Sequence, residues 1–110
     1  TNMEVTDRPS WWRSSTPPTD WSETTGRWHG RADLPTQLWW SGPTSVFDLD
    51  DPDQLRVVYA AVLREGSEVD VREWIHQPTL LRIWDTLWVP PSVHEAWDSW
   101  IGDRLERAAV

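Results

Sequence analysis

Eleven of the 110 residues are tryptophan, and a chain this small has to bury them or put them to use. Full burial of one indole removes roughly 150–250 Å² from water, about 4–6 kcal/mol gross. Their placement divides the chain. Trp74, Trp84, Trp88, Trp97 and Trp100 lie in sequence with a helical rhythm, which accounts for them as core-facing residues. Trp11, Trp12, Trp21, Trp28, Trp39 and Trp40 lie in a half rich in Pro, Ser and Thr that has no such rhythm. These six are either the second half of the core or a surface for something else.

Residues 50–110 read as four consecutive helices. Asp51-Pro52 opens the first, with Asp at the N-cap and Pro at the first helical position. Leu55, Val58, Tyr59, Val62 and Leu63 then recur on one helical face, and Gly66 stops the run. Ser67-Glu68-Val69-Asp70 is a start signal of capping-box type for a short helix carrying Val71, Trp74 and Ile75, which ends at Gln77-Pro78. Thr79 is the expected cap of a third helix, its inner side Leu80, Ile83, Trp84, Leu87 and Trp88, with Pro90-Pro91 as its end. Ser92-Val93-His94-Glu95 is a full capping box. It leads into a fourth helix with the stripe Val93, Ala96, Trp97, Trp100, Ile101, Leu105 and Ala108. Gly102 weakens that helix by about 1 kcal/mol relative to Ala.

Residues 1–49 give no comparable pattern. Leu38-Trp39-Trp40 and Ser45-Val46-Phe47 have the composition of two short strands joined by Ser41-Gly42-Pro43-Thr44. Most of 1–37 reads as extended coil. The expected fold is mainly α: a compact four-helix domain over 50–110, with a Trp/Pro-rich, mostly irregular N-terminal strap over 1–49. A short β-hairpin falls near 38–48, and strap and helices make one folding unit.

Charge narrows the function. The net charge is −8, all ten basic residues are arginine, and the excess of acid belongs mainly to the helical half. Binding of a phosphate backbone rests on clustered positive charge, so nucleic acid is disfavoured and a partner with a basic surface is favoured. The absence of cysteine excludes disulfides, thiolate metal sites and a Cys nucleophile. No apolar run approaches the roughly 18 residues of a membrane span and no signal-peptide core is present, so the expectation is a cytoplasmic protein without a membrane segment.

Residues with catalytic potential do not assemble into a pattern. His29, His76 and His94 lack the spacing of a metal site; His76 and His94 are placed to approach Glu73 or Glu95. Asp48, Asp50, Asp51 and Asp53 superficially suggest a Ca²⁺ loop, but the central Gly and terminal Glu are missing, and acids at a helix start complement its dipole. There is no phosphate-binding Gly loop and no nucleophile elbow. No catalytic residue, metal ligand or cofactor is therefore assigned. The second and third helices have the order of a helix-turn-helix, but the reading helix would offer only Arg82, beside Asp85.

Two runs carry a family resemblance. One is Val46-Phe47-Asp48-Leu49-Asp50-Asp51-Pro52, followed by Val58-Tyr59 and Val62-Leu63-Arg64-Glu65-Gly66. The other is Leu81, Trp84-Asp85, Leu87, Pro90-Pro91, Val93 and Ala96-Trp97. Over about residues 38–101 the chain resembles small uncharacterised actinobacterial proteins encoded beside nucleotidyltransferase toxins of the abortive-infection type. The resemblance implies a toxin-partner or antitoxin-like role, without a catalytic residue to carry over.

The resulting expectation is a non-catalytic, acidic protein-protein interaction module that regulates or neutralises a basic protein. Its partner-binding anchors are Trp11, Trp12, Arg13, Trp39 and Trp40, because Trp and Arg dominate interface hot spots. A DNA-associated transcriptional regulator, and a small enzyme or accessory subunit, stand as alternatives. For the six N-terminal tryptophans, completion of the core is the favoured reading, beside a groove-binding surface and sugar-stacking platforms.

Overall fold

The computed structural model describes residues 16–39 and 45–109. Strands β1 (Arg31–Asp33) and β2 (Val46–Asp48) precede helices α1 (Pro52–Glu65), α2 (Glu68–Trp74) and α3 (Gln77–Ile83). A 3₁₀ turn (Trp84–Thr86) and helix α4 (Pro91–Ala109) complete the order.

The start signals of α1 and α2 act as their residue types dictate. The Asp51 carboxylate accepts from the Asp53 N–H at 2.9 Å. Hydrogen bonds from the Gln54 side chain and then from the Asp53 backbone hold that carboxyl below its usual range. Gly66 ends α1, its N–H still bonded to the Val62 carbonyl at 2.7 Å. At α2 the capping box is complete. Ser67 Oγ accepts from the Asp70 N–H at 3.3 Å, and the Asp70 carboxylate accepts from the Ser67 N–H at 3.0 Å.

Three local expectations change. Helix α3 begins at Gln77 with His76 at its N-cap, so Thr79 lies inside the helix and its hydroxyl pairs with His76 Nδ1 at 2.7 Å. Helix α4 begins at Pro91, which puts Ser92 in its first turn rather than at its cap. Trp88 does not continue the α3 face. The chain tightens into the 3₁₀ turn, then runs extended from Leu87 (φ −88°, ψ 124°) toward Pro90-Pro91. Extended chain alternates its side chains with period two. Leu87 and Val89 are buried, and Trp88 between them is 75% exposed.

The sheet also pairs differently. Strand β2 forms as expected, but its antiparallel partner is Arg31–Asp33, in the register Arg31 to Asp48, Ala32 to Phe47 and Asp33 to Val46. Leu38 and Trp39 instead close a turn, both amides donating to the Pro35 carbonyl at 2.9 and 3.1 Å. The pattern of β1 explains the choice: the central pair Ala32 and Phe47 faces the core while Arg31, Asp33 and Val46 face outward.

One hydrophobic cluster runs through the described residues. Ala32, Leu34, Leu38, Phe47 and Leu49 join Tyr59, Leu63, Trp74, Ile75, Leu80 and Trp97 in it. Helix α1 packs on β2 and α2, and α3 packs on α4. The 16–39 segment is tied across these helices by polar contacts as well. The Arg27 N–H donates to the Trp74 carbonyl at 3.1 Å, and Gln77 Nε2 donates to the Trp21 carbonyl at 2.9 Å. The buried Tyr59 hydroxyl donates to the Arg27 carbonyl at 2.7 Å and accepts from the His76 N–H at 3.1 Å. Among the described residues no helix is long and apolar enough to cross a membrane.

Candidate functional site

The described tryptophans separate into packed and exposed ones. Trp74, Trp84 and Trp97 are buried. Trp21 stacks on Trp100 (ring centroids 5.1 Å apart, 22° between planes) and meets Trp97 edge-on at 5.8 Å. Trp21, partly buried, therefore packs against the core, as does Trp39, which meets Phe47 edge-on at 5.4 Å. Both leave a buried indole N–H without an acceptor. Of the five expected anchors, Trp39 packs on the core, and Trp11, Trp12, Arg13 and Trp40 lie outside the described residues.

Two tryptophans face solvent. Trp88 is the most exposed large apolar side chain described, and Trp28 is 48% exposed. The Trp28 ring lies against His76 (5.6 Å, 29°) and edge-on to His29 (4.4 Å), so two imidazoles hold it in place.

Trp28 also forms one wall of an open cleft of about 260 Å³. Its apolar lining comes from Leu49, Pro52, Leu55 and Ile83, and its charged lining from Asp50, Arg56 and Arg82. The elements that meet here are the strap, the β2–α1 connection, α1 and α3. Arg56 is held in place: Nε donates to Thr86 Oγ1 at 2.9 Å and Nη1 to Asp53 at 3.2 Å. Thr86 is capped in turn by its own bond to the Ile83 carbonyl at 3.0 Å. Neither Arg82 nor Asp50 forms a side-chain ion pair among the described residues, although both line the same cleft.

Two of the histidines pair with near neighbours in sequence. His94 Nδ1 lies 3.4 Å from Asp98, one helical turn on, and His76 pairs with Thr79 rather than an acid. Burial lowers the His76 pKa, which favours the neutral ring under Trp28. Among the described residues no three His, Cys, Asp or Glu side chains group as metal ligands. Tyr59 is pushed up to about 12, first by burial, against the opposing pull of its bond from the His76 backbone.

Sequence reasoning left out Trp28, Trp88, Arg82 and Asp50 as a set. Pro90-Pro91 marks where the helix must have stopped, because the residue before a proline is driven out of the α region, but it does not announce that the helix already ends at Ile83 and leaves Trp88 in extended chain. The signal for the cleft was absent, because its lining comes from three stretches far apart in the chain: Trp28, residues 49–56 and Arg82-Ile83. Comparison with family models, with curated proteins and with solved structures found no match.

Proposed function

We propose that the chain is a non-catalytic protein-interaction module that docks a protein with a basic surface, in an antitoxin-like or regulatory role. The observation that carries this reading is Trp88. A chain that buries Trp74, Trp84 and Trp97 holds this indole 75% exposed between two buried neighbours, Leu87 and Val89. Those neighbours pin the backbone on both sides, so the ring is presented on a fixed support and little conformational entropy is lost when it is covered. Trp is among the residues most enriched in interface hot spots. Val57, 39% exposed, adds apolar surface on α1 next to Arg56, which is tied to the turn before Trp88.

The net charge of −8 supports a basic partner, because opposite charge steers encounter and raises the association rate. Asp85, exposed in the 3₁₀ turn, places an acid three residues before Trp88. Loss of an interface Trp of this kind costs about 2 kcal/mol or more, roughly thirtyfold in affinity.

The test uses the whole protein as bait in host extract, followed by calorimetry of the purified pair. Trp88→Ala is expected to weaken the binary complex by about thirtyfold. Added salt is expected to slow association. Unchanged affinity of Trp88→Ala would overturn the reading, as would tight, salt-dependent binding of duplex DNA by the isolated protein.

A further inference from the structure

From the cleft, and independently of Trp88, we infer that the protein binds a free α-amino acid with an apolar side chain. The inference rests on charges that line one small space without pairing. Asp50 and Arg82 are both exposed, both line the cleft, and no ion pair within 4.0 Å joins them to each other or to any other described residue. Arg56, the third charge, is already engaged by Asp53 and Thr86. The free lining thus offers one carboxylate and one guanidinium.

That pair selects the charge class of the occupant. A bare anion would meet Arg82 but be repelled by Asp50, and a bare cation would meet the reverse. A zwitterion satisfies both, its carboxylate on the Arg82 fork and its ammonium on Asp50. The remaining lining suits the rest of such a molecule. Leu49, Pro52, Leu55 and Ile83 give the cleft apolar lining, and Trp28, held by His76 and His29, adds an aromatic one.

Size points the same way. At about 260 Å³ the cleft falls below the roughly 300–1,000 Å³ of sites that take drug-sized ligands and cofactors. One amino acid fits that volume, whereas a dinucleotide does not. The walls come from the strap, α1 and α3, so an occupant would also clamp the strap to the helices.

The test is titration of the full chain with L-phenylalanine and L-leucine, followed by calorimetry and by the indole N–H signal of Trp28, assigned with Trp28→Phe. A saturable 1:1 shift of that signal is expected with one or both. N-acetylphenylalanine, which lacks the ammonium, and phenylalaninamide, which lacks the carboxylate, are each expected to bind at least about tenfold more weakly. Asp50→Asn should weaken the zwitterion about tenfold but bind N-acetylphenylalanine no more weakly than the wild type, since it removes the repulsion of the anion, and Arg82→Gln should do the same with respect to the cationic amide. Both side chains are exposed and unpaired, so both variants are expected to keep the wild-type melting curve. The proposal is overturned by absence of a saturable shift up to about 10 mM. Equal binding of the acetylated and free forms, or displacement by orthophosphate, overturns it as well.

Discussion

Tyr59 is the only tyrosine in the chain, and its hydroxyl joins two segments that are far apart in sequence. It donates to Arg27 in the strap and accepts from His76 at the start of α3. Tyr59→Phe takes this partner from the part-buried Arg27 carbonyl and His76 N–H, so it is expected to cost about 1–3 kcal/mol, read from the urea midpoint at constant m-value. The same residue sets the alkaline limit of the fold. Its pKa is raised from about 10 to about 12, so the neutral phenol is what the folded state favours. The contribution is complete below pH 10 and is lost as pH rises through 12. Two pKa units correspond to about 2–3 kcal/mol. With no lysine and no cysteine in the chain, Tyr59 is the only side chain that titrates between pH 9 and 12. Stability measured at pH 9 and pH 11.5 should therefore fall in the wild type and stay nearly level in Tyr59→Phe, with phenolate absorbance as a single-residue readout. A wild type that loses nothing over that interval would show the hydroxyl to be solvated. At this scale the sequence was only half legible. Tyr59 was recognised as part of the α1 apolar face, but nothing local announces that its hydroxyl reaches residue 27.

Elements were legible where their signals are local. Asp51-Pro52 and Ser67 with Asp70 start helices because their side chains satisfy N–H groups within three residues, a distance the sequence displays directly. Ser67→Ala removes one of those acceptors, and a loss of about 1 kcal/mol in thermal or urea unfolding is expected, with α2 the first helix to lose amide protection. The misses occurred where a distant partner decided. Strand β2 chose Arg31–Asp33 over Leu38–Trp40, because pairing with β1 buries Ala32 against Phe47 while the turn at Pro35 sends Leu38 into the core separately. The helical face drawn through Trp88 failed for a different reason: its spacing presumed 3.6 residues per turn across a stretch where the chain tightens to 3₁₀ and then extends. The strap's contact with the α2–α3 junction is another tertiary fact hidden in a single residue. Gly26 has φ +106°, and a Cβ there would lie 2.4 Å from the His76 nitrogen and the Ile75 carbonyl carbon. Gly26→Ala, which at a compatible site would add up to about 1 kcal/mol of stability, is here expected to destabilise by more than about 1 kcal/mol, with Arg27 losing its bond to Trp74. Unchanged stability would mean that the strap can withdraw from that junction at little cost.

At the scale of the molecule, the two compositional halves turn out to share one core. Leu34 and Leu38 from the strap are as buried as Leu63 and Ile75 from the helices, and Trp21 covers Trp97 and Trp100 on α4. The helical half on its own is near the lower size limit for a stable core. Without residues 16–49 it would expose one side of Tyr59, Trp74 and Trp97, each a large side chain now almost wholly out of water. The whole chain is therefore expected to unfold in one transition, with far-UV circular dichroism for the helices and the indole N–H signals of Trp21 and Trp28 for the strap coinciding in urea. A fragment of residues 50–110 should keep helical propensity but lose cooperativity, with a broad melt and dye-accessible apolar surface. If the fragment instead melts cooperatively near the full-length temperature, the strap is an addition to a self-sufficient domain. Strap and helix signals separating in the full chain would say the same. Coincident transitions together with an uncooperative fragment would make Trp21 and Trp39 part of the folding unit's core packing, leaving Trp28 and Trp88 as the two described tryptophans whose exposure calls for a ligand or a partner.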